Sequence, residues 1–456
     1  MKTQSSILRV GVIAAVLAGA LVASVSQAAE RKPNIILIMA DDFGYEAVTA
    51  NGGESYQTPH LDRLAATGMR FEHCHVQPLC TPTRVQLMTS IYNVRNYVEF
   101  GLLDPNATTF AHLLKKTGYA TGICGKWQLG HGKDLPQHFG FDESFLWQHT
   151  RRPPRYANPG FEHNGVEKDY NNGEYGPKLV NDFALDFVAR HRDRPFLLYY
   201  PMILTHDPFQ PTPDSPEWNP KTKSEQEQRD VKHFADMTVY MDKMIGRLIA
   251  KLDELGLREN TLVMFLGDNG TSPTVTSRFK GTSYKGGKGS GTARGTHVPF
   301  IANWPGRIPA GRVNTDLVSS VDYLPTMCEV ANVTVPPSLK IDGRSFLPQL
   351  LGQKGQPRET MYLWYARDGG GAATFEFAQS TAYKLYRDGK FYDLKKDPFE
   401  EKPLAVAKLS GAAAGEAKKL QAVLDEYAQA RPARLAQHVA AKGGGKKKAG
   451  KAGNDE

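Results

Sequence analysis

Cys80, Pro82 and Arg84 fall within one short stretch, Pro78-Leu79-Cys80-Thr81-Pro82-Thr83-Arg84, followed by Val85-Gln86-Leu87-Met88-Thr89. The apolar spacing of Val85, Leu87 and Met88 predicts a helix, and proline is at home in its first turn, where a missing N–H costs nothing. Cys80 then stands at a helix N-terminus, with free backbone N–H groups and the positive dipole end facing whatever binds. Arg84, about one turn further in, shares that face. The geometry suits an oxyanion, although a cysteine that happens to precede a helix has the same local pattern. Asp41 with Asp42, and Asp268 with Asn269, each end an apolar run. Two like charges as close as Asp41 and Asp42 repel unless a cation sits between them or water solvates the turn.

The runs before these groups, Asn34–Ala40 and Thr261–Leu266, are continuously apolar, the mark of buried parallel strands. Gly118–Cys124 leads to Lys126, and Pro195–Tyr200 leads to His206. Ligands of α/β sheets bind at the carboxyl ends of strands, so each of these residues is placed where a site can form. A lone histidine is more often structural, and its strand-end position is what marks His206 out. Thr58 and Pro59 open a helix, with threonine as cap. Further helices are expected near 108–116, 177–191, 231–255 and 321–330, and a strand near 298–302. Phe234, Met237, Met241, Met244, Ile245 and Leu248 recur at helical spacing and read as core, not as a metal site. Residues 147–178 read as a long irregular insertion. Their arginines, Arg151, Arg152 and Arg155, suit either an anionic sugar chain or a structural loop. Trp218–Arg229 is a polar loop. Residues 358–430 predict a small antiparallel sheet (strands 361–365, 383–386 and 391–394, with a turn at Arg387–Lys390) and a helix at 415–430.

A chain of 456 residues can bury a large core. Lys2 and Arg9, the apolar run from Val10 to Val25 and then Ser26-Gln27-Ala28-Ala29 read as a secretory leader; the alternative, a membrane anchor, is disfavoured by the shortness of the run and its richness in Ala and Gly. The chain is therefore expected to be exported, to a periplasm or the medium, with no membrane span once the leader is removed. Removal lowers the formal charge of +8 by two. Much of the rest lies in a low-complexity tail, from Lys442 through Lys446, Lys447 and Lys448 to Lys451, which reads as a solvated tail or an electrostatic tether for polyanions. No basic helix or aromatic-studded sheet points to nucleic acid. Four cysteines, Cys74, Cys80, Cys124 and Cys328, leave room for at most one disulfide if Cys80 is chemically consumed.

The pattern Cys80-x-Pro82-x-Arg84, with Thr83 where Ser is usual, resembles the signature of the type I sulfatases. Their other signatures follow in order: Thr58-Pro59-His60-Leu61-Asp62-Arg63-Leu64, Gly125-Lys126-Trp127-Gln128-Leu129-Gly130, His206 with Pro208-Phe209, Gly267-Asp268-Asn269-Gly270, and Gly286-Gly287-Lys288-Gly289-Ser290. Tyr392-Asp393-Leu394 with Asp397-Pro398 resembles the family's C-terminal region. There are departures. Gln128 replaces a His that normally touches the nucleophile, with His131 three residues on; His60 replaces Asn and reads as structural. Ala293-Arg294-Gly295-Thr296-His297 lacks the usual Glu and Arg.

This resemblance, covering nearly all of residues 33–405, implies an α/β fold: an alkaline-phosphatase-like sandwich with a large mixed, mostly parallel central sheet, plus a small C-terminal α+β subdomain. The implied division is a signal peptide at 1–29, a catalytic domain at 30–350, the subdomain at 351–432 and a basic tail at 433–456. It implies a sulfuric ester hydrolase, arylsulfatase-like, in which Cys80 is oxidised to formylglycine by a formylglycine-generating enzyme. Asp41, Asp42, Asp268 and Asn269, with position 80, would hold the metal. All-oxygen donors select Ca²⁺ or Mg²⁺ over zinc, and Ca²⁺ tolerates their irregular geometry better. Lys126, Gln128, His206 and Lys288 would bind the sulfate ester. Arg84, Lys126 and Lys288 would offset developing charge, while His206 or Lys288 protonates the leaving alcohol. Export, positive charge and the Arg/Tyr-rich insertion favour a sulfated carbohydrate. The alternatives are a phosphate or phosphonate monoester hydrolase of the same fold, or a non-catalytic binder of sulfated glycans with Cys80 unmodified.

Overall fold

The computed structural model describes residues 31–370 and 373–435, so the leader expected at 1–29 and all but the first three residues of the tail expected at 433–456 lie outside the described residues. Among the described residues up to 320 there are twelve strands: β1 (Asn34–Ala40), β2 (Met69–His75), β3 (Ala120–Gly125), β4 (Glu143–Trp147), β5 (Gly160–His163), β6 (Val166–Asp169), β7 (Phe196–Pro201), β8 (Thr261–Gly267), β9 (Thr276–Phe279), β10 (Thr282–Lys285), β11 (Phe300–Asn303) and β12 (Arg312–Ser319). All but the β9–β10 hairpin form one ten-stranded sheet in the order β12-β2-β11-β8-β1-β7-β3-β4-β5-β6. Its centre, β8-β1-β7-β3-β4, is parallel throughout. β11 runs against β8 and β2, and β5 against β4, which makes the sheet mixed.

β1 explains the two-layered core. With a side-chain period of two, Ile35, Leu37 and Met39 enter one apolar cluster, and Ile36, Ile38 and Ala40 enter the other. Helices cover both faces, as a parallel sheet requires. Cys80–Thr89 and Tyr323–Val330 pack on the first face, and Pro59–Ala66, Gly176–Arg190 and His233–Glu254 on the second. The methionine stripe of the last helix is core: Met237, Met241 and Met244 are each at most 1% exposed. Each fully buried Leu, Ile, Phe or Met contributes about 2 kcal/mol.

A second sheet, β13 (Met361–Tyr365), β14 (Phe375–Gln379), β15 (Tyr383–Tyr386) and β16 (Phe391–Asp393), is antiparallel in sequence order, and the helix Gly411–Tyr427 packs on it. Local sequence reading had three of its strands. It lacked β14, whose Phe375-Glu376-Phe377 alternation emerges only when it pairs with β13 and β15. The insertion at 147–178 is less irregular than its composition suggests: β5 and β6 form a hairpin that extends the large sheet beyond β4. Thr58 is no side-chain cap. The first N–H groups of the helix Pro59–Ala66 donate instead to Asp242, from His60 N to Oδ2 and Leu61 N to Oδ1, both 2.9 Å. All four cysteines are buried and free. No helix among the described residues is long and apolar enough to cross a membrane.

Candidate active site

β1 lies between β8 and β7, and β7 between β1 and β3, all parallel. Their carboxyl ends are therefore neighbours, and the residues that leave them converge: Asp268 and Asn269 from β8, Asp41 and Asp42 from β1, His206 beyond β7, Lys126 from β3. Backbone bonds carry the sheet past its formal ends, with Asp41 N donating to Leu204 O (2.8 Å), Asp268 N to Ala40 O (2.9 Å) and Lys126 N to Pro201 O (2.8 Å). The helix Cys80–Thr89 lies wholly buried against this edge, with Cys80 in its first turn.

Three buried acids meet three cations. Lys126 Nζ lies 2.9 and 2.7 Å from the two oxygens of Asp41. Lys288 Nζ is 2.8 Å from Asp42 Oδ2. Arg84 Nη2 is 3.0 Å from Asp268 Oδ2, while its Nη1 donates to the Lys126 carbonyl at 3.0 Å. Burial alone would push the Asp41 carboxyl up, but the charges of Lys126 and Arg84 hold it well below the usual carboxylate range. Lys288 holds Asp42 down in the same way. Asp268 is pushed up to about 7 by burial and by the nearby charge of Asp41, despite Arg84. Three carboxylates thus crowd at this edge, matched in number by Lys126, Lys288 and Arg84, and a bound cation would relieve the repulsion among them.

The donor chemistry fits a hard divalent ion. Asn269 Nδ2 donates to Asp42 Oδ1 at 2.8 Å, which leaves the buried Asn269 Oδ1 without a partner. Asp41, Asp42 and His206 each offer a ligand atom within 4.8 Å of the others. The oxygens of Asp41, Asp42, Asp268 and Asn269 are the set that could hold the ion, with His206 at its border.

Cys80 Sγ donates to Gln128 Oε1 at 3.0 Å. Gln128 thus stands against the reacting position, in a left-handed conformation with φ 52°. His131 does not substitute for it: its Nδ1 bonds the His149 carbonyl at 2.7 Å. Burial pushes the Cys80 thiol up, so an unmodified thiolate is not favoured here. His206 Nε2 lies 3.2 Å from Lys288 Nζ. Burial and the Lys288 charge push this imidazole down to about 3, so it is neutral.

Lys288 sits on a glycine-rich loop held from two sides. The large sheet's side takes Lys288 N on Thr271 O and Gly289 N on Pro78 O, both at 2.9 Å. From the small sheet, buried Lys384 donates to Gly291 O at 2.5 Å and to Glu400 Oε1 at 2.9 Å, and Glu400 also accepts from Ala293 N at 3.2 Å. A carboxylate from 107 positions away therefore serves the segment that lacks its own glutamate.

Sequence reading singled out neither Lys384 nor Glu400, since their signal is burial. It placed Arg155 only in a cluster of arginines. In the fold that cluster divides: Arg155 Nη1 reaches His206 Nδ1 at 3.1 Å and stacks 4.3 Å above the Trp147 ring, while Arg151 pairs with Asp169 at 2.7 Å.

The family model described as Sulfatase matches residues 33–333, and one described as N-sulphoglucosamine sulphohydrolase, C-terminal, matches residues 293–426. Human arylsulfatase A is 32% identical over 475 residues, covering 87% of each chain. Dog N-acetylgalactosamine-6-sulfatase is 32% identical over 376 residues, covering 75% of this chain and 70% of its own. Among solved structures, Ps i-CgsB in complex with k-i-k-neocarrahexaose superposes with a TM-score of 0.74 at 25% identity, over 88% of this chain and 94% of that one.

Proposed function

Since this chain belongs to the sulfatase family and is a sulfuric ester hydrolase, we propose that it is exported and cleaves sulfate esters of carbohydrates with a nucleophile made from Cys80. The carrying observation is Cys80 itself, buried in the first turn of its helix beside three acid–cation pairs. The likeness to a structure in complex with k-i-k-neocarrahexaose supports the carbohydrate.

In this reading a formylglycine-generating enzyme oxidises Cys80, and the resulting formylglycine supplies, as its hydrate, an oxygen nucleophile in place of an unreactive thiol. Asp41, Asp42, Asp268 and Asn269, with position 80, hold a Ca²⁺ ion, which when bound polarises the sulfate. The rest falls to the chain's own groups. Gln128 orients position 80 by a hydrogen bond but carries no proton. Lys126 and Lys288 are fixed ammonium groups that neutralise the sulfuryl oxygens as charge builds on them. Arg84 anchors Asp268 and the backbone of Lys126, so its charge acts from behind them. His206, neutral, accepts from Lys288 and fixes that ammonium. Lys288 is then the group holding a proton for the leaving alcohol. The segment 351–432 acts as a brace for the Lys288 loop.

Mass spectrometry of the tryptic peptide Phe71–Arg84, from protein made with the maturation enzyme, tests the central claim. An aldehyde at position 80 beside an intact Cys74, with turnover of an aryl sulfate well above that of the matching aryl phosphate, is the expected result. Two unmodified cysteines, where a control sulfatase is matured, would sink it in favour of a non-catalytic binder; preference for the phosphate would favour a phosphomonoester hydrolase.

A further inference from the structure

A cleft of about 920 Å³ lies between the β5–β6 hairpin with its flanks and the loop around Lys221. Its walls are fastened to each other. The Asn158 amide donates to Pro220 O at 2.9 Å and to Thr222 O at 2.8 Å, and its Oδ1 accepts from Gly173 N at 2.8 Å. The walls approach so closely at Gly173 that a Cβ there would meet Pro220 at 2.6 Å.

The cleft's charges are unequally spent. Asp169, its carboxylate, is neutralised by Arg151 at 2.7 Å. Lys221 and Lys223 line the cleft, and neither ammonium has an ion pair or hydrogen bond among the described residues. The lining therefore carries two uncompensated positive charges, and the amides of Asn171 and Asn172 add neutral donors. The cleft also adjoins the reacting centre. Pro153 and Pro154 line it, and the next residue, Arg155, reaches His206 at 3.1 Å. Arg155 is itself paired with Glu225 at 3.3 Å, so the unspent charge beside it is that of Lys221 and Lys223.

We propose that this cleft is a second anion-binding subsite, which takes a sulfate or carboxylate on the sugar unit next to the one bearing the scissile ester. This rests on the carbohydrate reading above and gives it a requirement: the preferred substrate is an oligosaccharide with more than one negative charge. Two ammonium groups facing an anion at a partly exposed site are each worth a modest factor, about fivefold or more together.

The test is calorimetric binding of a persulfated tetrasaccharide, its desulfated counterpart and inorganic sulfate to the full chain. Lys221→Ala/Lys223→Ala is compared with wild type and with Lys408→Ala/Lys418→Ala, which removes two exposed lysines elsewhere. The persulfated tetrasaccharide should bind wild type and the control variant alike, and the cleft variant at least fivefold more weakly. Inorganic sulfate, small enough to need only the ester site, should bind all three equally, and the desulfated sugar should gain nothing from the lysines. Equal binding by cleft variant and wild type, equal weakening in both variants, or no binding to wild type would each overturn the subsite. Failure of the matured enzyme to turn over an aryl sulfate would instead overturn the formylglycine reading, and leaves the calorimetric result for the cleft standing.

Discussion

His206 Nε2 and Lys288 Nζ meet at 3.2 Å, and only one of them can hold the shared proton. Burial and the adjacent ammonium drive His206 down to about 3. Asp42 raises Lys288 in spite of its own burial. At neutral pH the pair is therefore imidazole and ammonium, and the sequence alone, which offered both as acids, could not choose between them. A general acid matters most when the leaving group is a poor one. Lys288→Ala should cost about 10²–10⁴ in kcat for alkyl sulfates and much less for a nitrophenyl sulfate, whose phenolate leaves unaided. Leaving-group series on both enzymes check this. An equal loss across the series would return Lys288 to a purely electrostatic role.

Between elements, the turn after β1 and the turn after β8 are stitched by a carboxyl group that the reaction does not use. Gly44 N donates to Thr271 Oγ1 at 3.0 Å, and that hydroxyl donates to Glu46 Oε1 at 2.6 Å. Glu46 Oε2 is buried without a partner, and burial pushes the carboxyl from 4.5 up to about 7. A folded-state value above the unfolded one means that the native protein holds this proton more tightly. Its contribution is fully present below pH 4.5 and is lost as pH rises to about 7. The loss is on the order of 3 kcal/mol by the usual conversion of pKa into free energy. Glu46→Gln removes the titration and keeps the hydroxyl's acceptor. Thermal melts should show the variant gaining on wild type between pH 5 and pH 8, and a difference independent of pH would refute the assignment. The same scale holds the small sheet's grip on the Lys288 loop through Lys384 and Glu400, whose buried side chains pair with each other and with that loop, while the Tyr386 hydroxyl donates to the second oxygen of Glu400.

At the scale of the molecule, four adjacent strands discharge acids and cations at one edge of a single sheet, where three buried carboxylates crowd one another. An ion held there binds the folded chain and not the unfolded one, so it adds to stability by mass action. Prolonged chelation should abolish turnover and lower the melting temperature together, with Ca²⁺ restoring both. Asp268→Asn should blunt the Ca²⁺-dependent shift in melting temperature, because it removes a charged ligand. It also unpairs Arg84, whose burial makes the loss of its partner worth about 3–5 kcal/mol in stability. A melting temperature indifferent to chelator and Ca²⁺ would remove the metal from this edge.

The sequence by itself determined what could be read from short-range regularity. Continuous apolar runs placed β1, β7 and β8 to within about a residue, and the residues following them were identified because a parallel strand must end at a ligand-bearing edge. Helical spacing placed the methionine stripe in the core. Strand ends and the resemblance to the sulfatase signatures pointed to Cys80, Lys126, His206 and Lys288, and the structure brings them together. Whatever depended on a partner distant in the chain stayed hidden. Asp242 caps a helix 182 positions away, Glu400 serves Ala293, and the hairpin β5–β6 and strand β14 need a neighbouring strand before their alternation means anything. The same holds for protonation. Burial and neighbouring charge set the states of His206, Asp268 and Glu46, and both are properties of the packed interior. Residue type and spacing decide which chemistry is possible here, and only the packed fold decides which group carries each proton.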